Sequence, residues 1–215
     1  MKDAPQREQN YGISYFDVST PDVFEAPERQ LYYFKTFIGE HEIEVERGDA
    51  VYFFSDDLET AFVRRGRCAV RSKHCATVIR GYMPPDASCS LLGTTVLPYI
   101  NGCSTRQIFP PLRAGDPTLQ YLYIPPASRE QEHHVHSTAR VVLVLEGRGK
   151  SVVGLGGNIR ERELLPGTVC IFDPMCPHHF ETPFSEPLAV APLHVFSAVP
   201  GVETNHPMFN GTVRI

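Results

Sequence analysis

The sequence predicts an all-β protein built as a sandwich or barrel. Short runs rich in aromatic and β-branched residues recur along the chain, and turn residues such as Arg47-Gly48-Asp49 and Pro84-Pro85-Asp86 separate them. No segment before residue 112 keeps a helical period for more than a few residues. The chain has 215 residues, enough for one generous all-β domain or two small barrels in tandem.

The strands are predicted from aromatic and β-branched content, from charged–apolar alternation and from the turns that bound each run. They fall at residues 31–38, 42–46, 50–55, 61–63, 68–70, 77–83, 119–124, 140–145, 150–153, 160–164, 169–172 and 188–196.

A proline- and glycine-rich connector at 109–117 is the best candidate for a domain boundary. We therefore expect a β-rich N-terminal half at 1–112 and a second domain at 113–215. The first 28 residues are polar and proline-dotted, which is typical of an extended arm or of a strand that packs on a neighbour. The tail, 199–215, is expected to return and pair with or cover a sheet edge.

Composition excludes several classes of protein. Apolar residues make up 42% and charged residues 21%, as in ordinary folded domains, and the net charge of −5 argues against a nucleic-acid partner. No apolar run approaches the ~20 residues that cross a bilayer, and the polar N-terminus lacks a secretory segment. We expect a cytoplasmic protein without a membrane partner. Its six cysteines form no CxxC pair and predict reduced, mostly buried thiols.

The most informative stretch contains three spaced histidines. His134 and His136 share one face of an extended strand, because alternate side chains point the same way. His178 follows after glycine turns at Gly147 and Gly167. Three imidazoles that converge inside a small barrel would bind a divalent transition metal, so the sequence predicts these three side chains as metal ligands.

These residues resemble the two sequence motifs of the cupin superfamily. The first motif is matched by His134, His136 and Gly147, and the second by Gly167 and His178, with prolines beside the expected places. The resemblance covers roughly residues 118–198. It implies a double-stranded β-helix, or jelly roll, of two facing antiparallel sheets.

Four positions depart from the family pattern. Ser128 replaces the first glycine of the first motif, and Asp173 and Met175 replace a proline and a glycine of the second. Arg140 stands where the family has a glutamate ligand, and a guanidinium has no lone pair to give a metal. Three explanations are open: the three histidines hold the metal alone, Arg140 anchors an anionic substrate group beside the metal, or the metal has been lost.

The N-terminal half has a weaker resemblance. Residues 48–54 are similar to the strand that opens a second cupin motif, yet Glu59 stands where that motif has its histidine, and no H-x-H precedes residue 133. Two hypotheses remain open. The half is either a degenerate cupin barrel, which would make the chain a bicupin, or a β-extension that lengthens the sheets or forms a dimer interface.

The resemblance implies a metal-dependent enzyme. The first hypothesis is an Fe(II) oxygenase or dioxygenase acting on a small anionic substrate, with Arg140 as anchor and His194 and Tyr123 as candidate acid–base residues. The alternatives are an isomerase, lyase or epimerase that uses Mn, Ni or Zn, and a non-catalytic cupin that binds a small molecule. No further cofactor is predicted, and a homodimer is expected.

Overall fold

The computed structural model describes residues 11–27, 33–93, 95, 97–113, 115–195 and 212–214, and these are almost entirely antiparallel strands and turns. The prediction of an all-β fold is confirmed. In this part of the chain the helical segments are two 3-10 turns, Ile100–Gly102 and Gly156–Asn158. None of the described helical segments has the length and apolar character needed to cross a membrane.

The strands, in chain order, are β1 (Ile13–Asp17), β2 (Asp22–Glu25), β3 (Phe34–Ile38), β4 (His41–Val45), β5 (Ala50–Phe54), β6 (Thr60–Arg65), β7 (Cys68–Ser72), β8 (Cys75–Ile79), β9 (Ala87–Ser90), β10 (Leu97–Pro98), β11 (Ser104–Phe109), β12 (Thr118–Ile124), β13 (Ser128–Arg129), β14 (His134–His136), β15 (Ala139–Gly147), β16 (Gly149–Val153), β17 (Arg160–Leu164), β18 (Thr168–Phe172), β19 (His178–Thr182), β20 (Leu188–Val195) and β21 (Thr212–Arg214).

The C-terminal half is a jelly roll of two facing sheets. One is seven-stranded, in the order β1-β18-β15-β20-β12-β11-β10, and the other runs β17-β16-β19-β14-β21, with β13 paired to β19. Side chains from both sheets meet in one apolar cluster that includes Leu122, Val142, Phe172 and Phe180. This cluster fills the barrel interior as far as the histidines, since the ring centroids of Phe172 and His178 are 4.5 Å apart, as expected for two sheets whose inner faces interdigitate.

The N-terminal half has its own pair of sheets. A six-stranded sheet runs β2-β3-β8-β5-β6-β9, and β4 pairs with β7 to form a two-stranded sheet. Ile43 and Val45 from β4 pack against Val51 of β5 and Ala76 of β8. Glu59, at the position where a second cupin motif would have a histidine, lies exposed in the turn between β5 and β6.

The central strands of the seven-stranded sheet are buried on both faces. Along β15, Val142 and Val144 point into the C-terminal barrel, whereas Val141 and Leu143 belong to a second cluster together with Phe34 and other residues of the six-stranded sheet. This two-sided burial explains why the central strands are almost continuously apolar. The two halves are therefore packed sheet against sheet across one shared core.

Segments that precede residue 112 contribute to the C-terminal sheet. Strand β1 pairs with β18 in the register Ile13↔Phe172, and β11 pairs with β12. The division of the chain at 112/113 stays a prediction. The expected return of the tail is confirmed for β21, which pairs with β14 at its edge; the rest of the tail and the first ten residues lie outside the described part of the chain.

The turn between β15 and β16 requires glycine. Gly147 has φ +80°, and a Cβ built on it would lie 1.9 Å from the carbonyl oxygen of Pro187. The backbone N–H of Arg148 donates to the same oxygen at 2.9 Å. Any side chain at position 147 would therefore push the chain entering β20 away from this turn.

We expect Gly147→Ala to lower the free energy of unfolding by about 2–4 kcal/mol, because it combines a backbone clash with a strained positive φ. Urea denaturation of the purified protein measures the loss. Gly157→Ala is the matched control, since nothing lies within 4 Å of a Cβ at Gly157 and its φ is not positive. A loss at 147 no larger than the control's, about 0.5 kcal/mol or less, would contradict this account of the turn.

Candidate metal centre

Three imidazoles meet where β14 and β19 pair. The antiparallel register places His134 directly opposite His178, and His136 lies two residues along β14 on the same face. One ring nitrogen from each of the three residues lies within 4.8 Å of the others, and all three residues are buried. The Nε2 atoms of His134 and His136 are 2.7 Å apart. The structure thus brings together the three histidines that the sequence singled out.

Backbone carbonyls orient two of the rings. Nδ1 of His134 lies 2.7 Å from the carbonyl oxygen of Glu132, and Nδ1 of His178 lies 2.8 Å from that of Cys176. A carbonyl only accepts, so each Nδ1 carries the proton and each Nε2 keeps its lone pair. These lone pairs face the cluster. A histidine with its proton on Nδ1 is the tautomer that binds a metal through Nε2.

The imidazoles are held neutral. Burial, and after it the positive charge of Arg140, lowers the pKa of His134 to about 3. Burial also holds the pKa of His136 well below its usual range, with Arg140 next in effect. For His178, burial and then the neighbouring His134 lower the pKa in the same direction. Neutral imidazole is the metal-binding form, and it is therefore present throughout the physiological pH range.

The donor set fits a divalent transition metal. Two atoms bound to one ion at about 2.0–2.2 Å lie no more than about 4.4 Å apart, close to the 4.8 Å within which the three nitrogens are gathered. Three imidazole nitrogens suit Fe, Ni, Cu or Zn rather than Ca or Mg. If a metal binds here, these three residues are the ones positioned to hold it.

The seven-stranded sheet faces this cluster with a wall of buried polar side chains. Arg140 on β15 and His194 on β20 are directly paired neighbours, and Gln120 on β12 points to the same side of the sheet. Both ring nitrogens of His194, both amide atoms of Gln120, and Nε and Nη2 of Arg140 have no hydrogen-bond partner. Because unpaired buried polar groups are costly, this wall is suited to receive a polar ligand.

Arg140 places a positive charge in the barrel interior. It is only 5% exposed. Burial lowers the pKa of its guanidinium to about 9, against the opposing effect of the Glu130 carboxylate, so it remains positive at neutral pH. Burial raises the pKa of Glu130 to about 7, although Arg140 acts to lower it. The interior therefore carries a positive charge that its nearest carboxylate neutralises only in part.

Tyr123, a predicted acid–base residue, does not reach the cluster. It alternates along β12 with Leu122 and Ile124, which belong to the apolar interior of the barrel, so its side chain lies on the other face of the sheet. The proposed catalytic role of Tyr123 is corrected on this ground. His194, in contrast, lies on the barrel side, with its ring centroid 6.5 Å from that of His136.

The side chains next to the predicted ligands in the sequence make contacts outside the histidine cluster. His133 and His179 pair with each other, Nδ1 to Nδ1, at 2.8 Å, and Nε2 of His133 lies 2.6 Å from the carbonyl oxygen of Gly154. Cys176 is buried, and burial raises the pKa of its thiol to about 12, so it is a protonated thiol rather than a thiolate.

Sequence reasoning missed two residues at the cluster. Nε2 of His134 lies 2.8 Å from Nε2 of Gln131 and 3.5 Å from a carboxylate oxygen of Glu130, and both residues are buried. The one feature of the sequence that could have indicated them is their position immediately upstream of the histidine pair, in the run Glu130-Gln131-Glu132. The bend between β13 and β14, which turns both side chains inward, has no pattern in the sequence.

Comparison with known families supports the resemblance. The sequence model of the cupin domain family matches residues 120–196, a stretch that contains all three histidines and Arg140. No curated protein sequence matches the chain.

Solved structures share the fold at low sequence identity. A variant of oxalate decarboxylase from Bacillus subtilis superimposes with a TM-score of 0.51 and 10% identity, over 89% of this chain and 80% of that one. A cupin-like protein from Thermotoga maritima gives 0.40 and 14%, over 47% of this chain and 80% of that one. A polyketide cyclase from Streptomyces resistomycificus gives 0.40 and 20%, over 51% and 78%. The first of these likenesses spans both halves of the chain and concerns the fold alone.

We expect the metal-free protein to lose stability as the pH falls below about 6.5. The unfolded chain then protonates its histidines near their usual pKa, whereas the buried rings, including that of His194, stay neutral when folded. Because the unfolded state binds more protons, each such ring removes up to about 1.4 kcal/mol of stability per pH unit.

Urea denaturation of chelator-treated protein at pH 7, 6 and 5 measures this dependence. His194→Gln removes one buried ring, and its stability should fall less steeply with acidification than that of the wild type. Equal slopes in the two proteins would show that His194 does not stay neutral in the folded state.

Proposed function

We propose that this chain, which belongs to the cupin superfamily through the cupin domain at residues 120–196, is a metal-dependent enzyme that acts on a small organic anion. The three buried histidines would hold the metal, and Arg140 would bind the anion beside it. The homodimer and the cytoplasmic location expected from the sequence also stay predictions.

The observation that carries the proposal is the unpaired guanidinium of Arg140. It is buried, two of its nitrogens have no partner, and none of the described carboxylates lies within ion-pair distance of it. An uncompensated buried charge costs several kcal/mol, so a folded protein retains one only where another interaction offsets that cost. A bound carboxylate would do so through the planar fork of the guanidinium.

The wall around Arg140 favours a substrate with a second polar group. Gln120 offers one amide oxygen and two amide hydrogens without partners, and His194 offers one ring donor and one ring acceptor. Both residues are fully buried, so bulk water does not reach these polar groups. A purely apolar acid would leave these groups unsatisfied, whereas a hydroxy, oxo or second carboxyl group would hydrogen-bond to them.

An Fe(II) oxygenase is the finer form of this proposal. Bound Fe(II) would supply open coordination positions for substrate and dioxygen together. The chain's own contribution is to keep His134, His136 and His178 neutral, to hold the substrate anion on Arg140, and to exclude bulk water from the interior. Neutral ligands add no negative charge, which favours the binding of an anion.

Glu130 favours a second candidate in which the metal acts only as a Lewis acid. Its buried carboxylate lies 3.5 Å from His134, and burial raises its pKa to about 7. A carboxyl group that changes protonation near neutral pH is suited to accept or return a substrate proton. This would serve an isomerase, lyase or epimerase that uses Mn, Ni or Zn.

Elemental analysis and an oxygen-uptake screen separate these candidates. We expect about one divalent metal per chain, as a single three-histidine centre would hold. An oxygenase should consume oxygen stoichiometrically with one member of a panel of small carboxylates, diketones and thiols. Turnover without oxygen uptake would select the Lewis-acid candidate, and protein that stays metal-free after reconstitution would rule out both.

Arg140→Ala should weaken substrate binding by about 10–100-fold, the equivalent of one charge-assisted hydrogen bond or ion contact, while metal content stays near that of the wild type. Calorimetric titration with the active carboxylate and elemental analysis give the two readouts. Arg148→Ala is the control, because this arginine pairs with Glu163 at the surface and should change neither. Loss of metal with anion affinity intact would instead make Arg140 a structural residue of the centre.

A further inference from the structure

Gln131 occupies an unusual position for a glutamine. It is only 1% exposed, its Nε2 lies 2.8 Å from Nε2 of His134, and its Oε1 has no hydrogen-bond partner. A buried carbonyl oxygen without a donor costs about 1–3 kcal/mol. The amide is thus placed at the histidine cluster with its better metal-binding atom unused.

Hydrogen bonding alone does not account well for the short distances between Nε2 of His134 and its two neighbouring nitrogens. Because Nδ1 of His134 donates to the carbonyl of Glu132, Nε2 has a single lone pair and no proton. Two other nitrogens, from Gln131 and His136, lie 2.8 and 2.7 Å from that atom. One lone pair cannot accept well from both. Atoms bound to one cation at right angles lie about 3 Å apart, so a cation explains the crowding of all three.

The amide can present either of its ends to that point. A half-turn of the terminal torsion exchanges Oε1 and Nε2 with little change in shape. When the lone pair of His134 is directed to a cation, an amide N–H at the same place would be repelled, and the oxygen attracted. The turn would give Oε1 a partner and would move the amide N–H groups to the place that Oε1 now holds.

Glu130, the other candidate, does not fit. Although one of its oxygens approaches His134 to 3.5 Å, Glu130 does not join the three imidazoles within 4.8 Å of one another. Atoms on one ion are at most about 4.4 Å apart. Glu130 is therefore too far from at least one of the three nitrogens to share an ion with all of them.

We propose that Gln131, through its side-chain oxygen, is the fourth protein ligand of the metal centre, in place of the carboxylate that Arg140 has displaced from the family motif. This rests on the proposed metal centre. A neutral amide leaves the ion with its full positive charge, so the anionic substrate, held by Arg140, becomes the group that neutralises the centre. The neutral ligand set therefore suits a negatively charged substrate.

Co(II) binding tests this assignment without any measurement of activity. Gln131→Met keeps the volume and removes the oxygen, so it should weaken Co(II) affinity at least about 10-fold and change the visible absorption of the bound ion. Gln131→Glu keeps an oxygen and removes the N–H. It should bind Co(II) at least as tightly as the wild type, because a carboxylate is the stronger ligand.

The outcome for Gln131→Met separates a ligand from a hydrogen-bond donor. If Gln131 merely donates to the lone pair of His134, its N–H competes with the metal for that lone pair, so Gln131→Met should bind Co(II) as tightly as the wild type or more tightly, and that result overturns the proposal. Gln120→Met is a matched change of a buried amide on the opposite wall and should leave Co(II) affinity unchanged. An equal loss of affinity in Gln120→Met would show that the loss in Gln131→Met comes from altered packing. Wild-type protein that binds no Co(II) would overturn the metal centre itself, whereas tight binding that is indifferent to position 131 would overturn only the role of Gln131.

Discussion

Burial of the central strands of the seven-stranded sheet on both faces is the constraint on which the rest of the molecule depends. One face closes the C-terminal barrel, and the other packs on the six-stranded sheet of the N-terminal half. A sheet without a solvated face cannot place a polar side chain in water. Each polar residue on its barrel side, Arg140, His194 and Gln120 among them, must therefore be satisfied inside the protein or by a ligand.

The electrostatics of the barrel follow from that burial. In a region of low dielectric, the neutral form of each imidazole is favoured, and the charge of Arg140 disfavours protonation further. The same burial raises the pKa of Glu130 and leaves the guanidinium without a fully charged partner. Neutral nitrogen donors on one sheet and an unpaired cation on the facing sheet make an interior suited to a cation and an anion bound together.

The two halves use similar architecture for different ends. In the N-terminal half, alternate residues of β5 face both cores, and Val51 packs with Ile43 and Val45 inside that half. Among the residues that the structure describes, the histidine cluster of the C-terminal half is the single group with metal-binding geometry. The N-terminal half thus buries one face of the C-terminal barrel's wall, as a degenerate barrel would, and a small apolar cluster packs between its own two sheets.

The sequence by itself determined the all-β class, most strands and the three histidines, because strand period, turn residues and the spacing of the H-x-H pair are local. It also identified Arg140 as the position where the family's glutamate ligand is missing. Only the tertiary structure decided that Tyr123 faces away, since strand facing depends on which sheet covers each side. It alone placed Glu130 and Gln131 beside His134, because an irregular bend between β13 and β14 directs them inward, and irregular backbone has no sequence period.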